Sequence, residues 1–111
     1  MRRSDRRSKR VPEWVLRDVY LLDEGCCIVC GERVSIGELW AFHHVLPKSR
    51  WPELRNDSAN IVTIHIGCHA RHESAFARIK REQLPARTLE LAERLGDPGL
   101  AYLDRTYPHG T

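Results

Sequence analysis

Apolar residues fall along this chain in short groups rather than long runs, and their spacing predicts helices at both ends with short strands between them. Near the N-terminus, Pro12 and Glu13 suit the first turn of a helix, a proline where no donor is needed and an acid at the positive end of the dipole. Trp14, Val15, Val19 and Leu22 then line one side until Asp23-Glu24-Gly25 closes it. Arg33-Val34 and Leu39 to Val45 read as two strands joined by the turn Ser35-Ile36-Gly37-Glu38, so that the second strand ends on His43 and His44. Pro47 stops it. Lys48 to Ala59, with Pro52, Asn56, Asp57 and Ser58, is a polar loop longer than the usual connection. After the short apolar run Ile61 to Ile64, residues His69, His72, Glu73, Phe76, Ile79 and Lys80 recur at helical spacing and predict a helix from about Cys68 to Arg81. Thr88 to Leu95 reads as another helix closed by Gly96, and Asp97-Pro98 opens a last short one over Gly99 to Arg105. The tail from Tyr107 to Thr111 is expected to be loose, with His109 in solvent.

A chain of 111 residues makes one domain with a modest core, which a structural metal would help to hold. The formal charge of +3 is concentrated at the start, where Arg2, Arg3, Arg6, Arg7, Lys9 and Arg10 face the single acid Asp5; the remainder is slightly acidic. Residues 1–10 therefore read as a disordered basic arm, either simply solvated or lending salt-dependent affinity for phosphate. Residues 11–82 read as the core domain and 83–111 as a helical extension packed on or flanking it. Glu13, Arg17 and Asp18 interrupt any secretory signal, and no run approaches the roughly 20 apolar residues of a membrane span. A soluble, cytoplasmic protein is expected, and in a reducing compartment cysteines spaced Cys-x2-Cys argue for metal before disulfide.

Five of the six histidines and three of the four cysteines lie between Cys27 and His72, and both residue types are metal ligands. Structural zinc asks for four thiolate or imidazole donors, commonly as two x2-spaced pairs, and Cys27, Cys30, His65 and Cys68 supply them. Replacing His65 by His72 is a narrower alternative, four residues after Cys68 on a helix. Cys26 stands outside the spacing. With that metal tying the hairpin's start to the helix's start, the end of the second strand comes opposite the first turns of the helix. His43 and His44 are thus expected near His69 and His72, as a second metal site acting on a phosphodiester. Adjacent residues of a regular strand face opposite ways, so both histidines can serve one site only if His44 reaches in from beside the metal or the strand distorts at Val45-Leu46-Pro47.

The order Cys-x2-Cys, His-His-x2-Pro, Asn, His-x2-Cys-His resembles the HNH endonuclease family over roughly Leu22 to Lys80. The resemblance implies an α+β fold, a small zinc-stabilised ββα-metal core with flanking N- and C-terminal helices. It implies that His43 and His69 bind the catalytic metal, with His72 or Glu73 completing the set, that His44 is the general base and that Asn60 positions the loop or the base. Two positions depart from the family pattern: His43 stands where an aspartate is common, and His65 where a cysteine is common. Imidazole-rich sites favour nickel, zinc or manganese over magnesium, which prefers hard oxygen ligands. The implied reaction is hydrolysis of DNA, with His44 taking the water's proton and the 3′ oxygen leaving, to give a 5′-phosphate and a 3′-hydroxyl. Lys48, Arg50, Arg71 and Arg78 are candidate phosphate contacts, and Trp51 either stacks on a base or plugs the core. Two other readings are a zinc-stabilised nucleic-acid-binding module without catalysis and an accessory subunit of a larger machine, such as a phage packaging or restriction system. The partners expected are DNA and either a second copy or another protein.

Overall fold

The computed structural model describes residues 11–38 and 41–110; the basic arm over 1–10, with Leu39, Trp40 and Thr111, lies outside the described residues. The fold is α+β. Helix α1 (Glu13–Leu22) is followed by strands β1 (Phe42–His44) and β2 (Ile61–Thr63), then by α2 (Ile66–Glu73), α3 (Ala86–Leu95) and α4 (Asp97–Thr106). The strands pair antiparallel, Phe42 opposite Thr63, His43 opposite Val62 and His44 opposite Ile61.

This pairing corrects the hairpin expected between Arg33-Val34 and Leu39 to Val45. Arg33 makes only an isolated bridge to Cys26, and Ile36–Glu38 is a turn of 3-10 helix. The reason is burial. Ile61 and Val62 are fully buried and Thr63 nearly so, and a run without a polar face belongs between two layers rather than at an edge. Ile61 packs on Val15 and Val19 of α1, while Val62 and Ile64 join Val34, Val45, Leu46, Ile79, Leu103 and Tyr107 on the other side.

Only half of the expected inner stripe of α1 is buried: Val15 and Val19 are, whereas Trp14 and Leu22 are exposed, and Leu16 and Phe42 cover the valines instead. The helix stops at Gly25, whose φ of +69° lets its N–H reach the Tyr20 carbonyl at 2.8 Å. A Cβ there would stand 2.8 Å from the Arg33 guanidinium, so the turn takes glycine on both counts.

Helix α2 is shorter than the expected Cys68 to Arg81. Ala75 adopts φ +63°, its N–H returns to His72 O at 3.0 Å and that of Phe76 to Arg71 O at 3.0 Å, the paired bonds that close a helix. Periodicity beyond Glu73 misled for that reason: Phe76 is 82% exposed, and Ile79 is buried from a loop.

The C-terminal helices are fastened to the core. Arg87 forks onto Asp23 at 3.0 and 3.2 Å and donates to the carbonyls of Ser58 and Ile61, while Asp23 also accepts the Thr63 N–H at 2.8 Å. One guanidinium thus joins α1, the sheet and α3. Helix α4 crosses α3 at Gly99, where a Cβ would lie 2.7 Å from the Ala92 carbonyl. The segment after α4 is ordered, correcting the expected loose tail. Tyr107 is 1% exposed, the Arg81 N–H bonds Pro108 O, and the Gly110 N–H bonds Glu82. A ring of this size buries enough apolar surface to anchor a short segment once its hydroxyl finds partners. No helix among the described residues is long and apolar enough to cross a membrane.

Candidate functional site

Two clusters of metal-ligating side chains, one of three cysteines and a histidine and one rich in histidine, sit at opposite ends of α2. At its N-terminal end, the turn after Cys27 is closed by the Gly31 N–H on Cys27 O, with Gly31 at φ +78°, which brings Cys30 round to face the helix. His65 is the residue capping α2 and Cys68 lies in its first turn. The donor atoms of Cys27, Cys30, His65 and Cys68 lie within 4.8 Å of one another, the one such group of three or more among the described residues. Tetrahedral zinc would place them roughly 3.5–4 Å apart, so the quartet fits a structural metal. His65 turns Nδ1 to the Cys30 sulfur at 3.2 Å and donates its Nε2 proton to Arg33 O at 3.2 Å, the outer partner that a ligating imidazole needs. Burial and the charges of Cys27 and Cys30 push Cys68 up to about 12, a repulsion that a divalent cation offsets. Burial alone would raise Cys27 too, but N–H groups around its sulfur, Val29's among them, bring it to about 7. His72 stands apart from this quartet.

The other cluster lines an open cleft of about 560 Å³ between β1, α2 and α4. His43 is buried, and its Nδ1 faces His69 Nε2 at 3.1 Å. Two imidazoles on one tetrahedral metal at about 2.0–2.1 Å would hold their nitrogens roughly 3.3 Å apart, so this pair also fits a cation. Glu73 Oε2 lies 3.4 Å from His69 Nε2. His72, also in the cleft wall, accepts the Ile79 N–H on Nδ1 at 3.0 Å, which leaves its ring proton on Nε2. Burial, with the neighbouring histidines, drives His43 down to about 3; burial, with Arg78 and His69, drives His72 down to about 4. Both rings are therefore neutral at pH 7.

His44 follows on β1 and turns to the cleft rim. It donates Nε2–H to Arg55 O at 2.8 Å, so Nδ1 is bare, and burial, with Lys48, lowers its pKa. His43 is buried and His44 only partly so, yet both line the cleft. Asn60 does not touch the cleft. Fully buried, it accepts the Leu46 N–H at 2.8 Å and donates to Leu46 O at 2.9 Å and Leu54 O at 3.4 Å. It so pins the end of β1 to the loop that carries the Arg55 carbonyl.

Lys48 and Arg78 line the cleft, Arg71 is exposed on α2, and Arg50 lies over the Trp51 ring at 4.6 Å. Trp51 is a core plug, 9% exposed and edge-on to Tyr102. Sequence reasoning missed two groups. The Arg55 carbonyl has no side-chain signature, and Tyr107 gave only the weak signal of an aromatic just after an amphipathic helix.

A two-stranded sheet and a helix, with four metal donors joining the cysteine turn to the start of the helix and strand and helix histidines meeting beyond them, form a ββα-metal core. Residues 27–75 match the family model for HNH endonuclease, and this stretch is similar to the nuclease modules of that family. Helices α3 and α4 and Tyr107 lie outside the matched stretch. Neither a curated protein nor a solved structure gives a significant match.

Proposed function

We propose that this protein is a metal-dependent endonuclease that hydrolyses DNA phosphodiester bonds, with His44 as general base, leaving a 5′-phosphate and a 3′-hydroxyl. The observation that carries this reading is the setting of His44: its Nε2 proton is held by Arg55 O, which leaves Nδ1 bare, and its ring lines the cleft shared with the facing His43 and His69. A neutral imidazole so fixed accepts a proton from a water attacking phosphorus. Its lowered pKa keeps it unprotonated at neutral pH. His43 and His69 would hold a divalent cation, nickel, manganese or zinc before magnesium, which supplies Lewis acidity toward the phosphate and the leaving 3′ oxygen. Glu73, beside His69, completes that set better than His72, whose Nδ1 is engaged with Ile79 and whose Nε2–H is left to donate to a phosphate oxygen. Lys48 and Arg78 at the cleft, with Arg50 and Arg71 further out, bind the flanking backbone without reading sequence. Asn60 acts through position, since its amide ties Leu46 to Leu54 and so sets His44 against Arg55. Zinc is the metal assigned to the quartet of Cys27, Cys30, His65 and Cys68.

The test is cleavage of supercoiled plasmid by purified protein across magnesium, manganese, nickel and zinc, beside a His44→Ala variant of verified fold and quartet metal content. Metal-dependent cutting that is lost in the variant supports the reading. Binding of DNA without cutting under every metal would sink it and leave a nucleic-acid-binding module or an accessory subunit.

A further inference from the structure

We propose that Tyr107, supplied from outside the 27–75 domain, is a positioning residue of the active site: its hydroxyl holds the Nε2 proton of His43, so that Nδ1 is the nitrogen presented to His69 and a divalent cation. This rests on the reading of His43 and His69 as ligands given above. The Tyr107 oxygen lies 2.7 Å from His43 Nε2 and 2.7 Å from Val45 O. A carbonyl only accepts, so the single hydroxyl proton goes to Val45, and toward His43 the oxygen is an acceptor. His43 Nε2 must then carry the proton. A neutral imidazole has one, and Nδ1, 3.1 Å from His69, is bare.

The tyrosine is itself held from several sides, which makes it a rigid reference point. Its ring is 1% exposed, stacked on His72 at 5.2 Å and 9°, and set edge-on to Tyr102. Packing alone would be met by phenylalanine, and the hydroxyl's need for a partner would be met by Val45 alone. The second bond therefore does something that neither requirement asks for: it selects one of two tautomers of a ring that also meets His69. Outer partners of this kind orient metal-binding histidines and raise their basicity. The hydroxyl reaches His43 across 64 residues of sequence, so the arrangement depends on α4 being docked.

The experiment uses the 111-residue chain with metal retained at the cysteine quartet and the second centre free of metal. Imidazole nitrogen NMR would report the His43 tautomer in wild type and in Tyr107→Phe, and calorimetric titration would report the affinity for manganese and nickel. The wild type should show Nε2–H alone. The variant should show mixed tautomers and bind the second cation about 10- to 100-fold more weakly, with its fold and quartet metal unchanged. A wild type with the proton on Nδ1, or a variant with unchanged tautomer and affinity, overturns the proposal. Failure of the wild type to take up a second cation would instead overturn the assignment of His43 and His69 as ligands, and the tautomer comparison would still decide what Tyr107 does. Should Tyr107→Phe not fold, the wild-type spectrum alone decides the matter.

Discussion

The two ligand clusters at the ends of α2 are built in different ways. Cys27, Cys30, His65 and Cys68 come from two short segments, each closing its own pair through a local turn, and meet at an edge where Cys30 is exposed. The cleft draws His43 and His44 from β1, His69 and Glu73 from α2, a carbonyl from the loop at Arg55 and a hydroxyl from Tyr107. One is specified by spacing, the other by packing. A spacing-defined centre should therefore tolerate damage to the distant parts of the fold, whereas a packing-defined one should register all of it.

The sharpest way to separate them begins with the quartet. Cys68→Ala, or a strong chelator, should unfold the domain, because metal binding by such sites is worth on the order of 10 kcal/mol and the core is small. Circular dichroism and zinc release would show it; a folded, metal-free protein would mean that packing alone suffices. Next comes His44→Ala, expected to lower cleavage by about 100- to 10,000-fold with the melting temperature nearly unchanged. An equal loss of stability would mean that the residue belongs to the scaffold.

Arg87→Ala should destabilise by about 3 kcal/mol, since it strands the buried Asp23 carboxylate, and should weaken the second centre while leaving quartet metal content intact. Denaturant midpoints and metal analysis would check this; loss of quartet metal in folded protein would contradict the distinction. The remaining test is pH. The unfolded chain protonates its histidines as pH falls past about 6.5, whereas His43 and His72 resist until about 3 and 4, so the unfolded state binds more protons in that window. The contribution of these two rings to stability should be level above pH 7 and decline from 6.5 toward 4. A denaturation midpoint flat across that range would mean that these rings are not buried neutral.

The same contrast explains what could be read before folding. Two x2-spaced pairs, each beside a glycine, were enough to group Cys27, Cys30, His65 and Cys68, because the distance between donors within a pair is set by a single turn. The helices Glu13–Leu22, Ala86–Leu95 and Asp97–Thr106 were legible from period and from their glycine and proline stops. Strand pairing was not, because Arg33-Val34 and Ile61–Thr63 are both short, β-prone and near turns, and only burial against α1 chooses between them. Nor was the end of α2, since an alanine at φ +63° carries no marker that a glycine would have given. Tyr107 lay beyond reach for a related reason: its partner His43 is distant along the chain, and no local pattern announces a contact of that kind.

The depth of Tyr107 along the chain also has a meaning in time. A ribosome delivers His43 first and Tyr107 64 residues later, an interval of roughly 3–13 s at common rates of synthesis. During that interval the cysteine turn and α2 can already have emerged and taken up metal, while the hydroxyl that sets the His43 ring has yet to be translated. A cutting activity that waits on Tyr107 would therefore stay unarmed on the nascent polypeptide until α4 has docked.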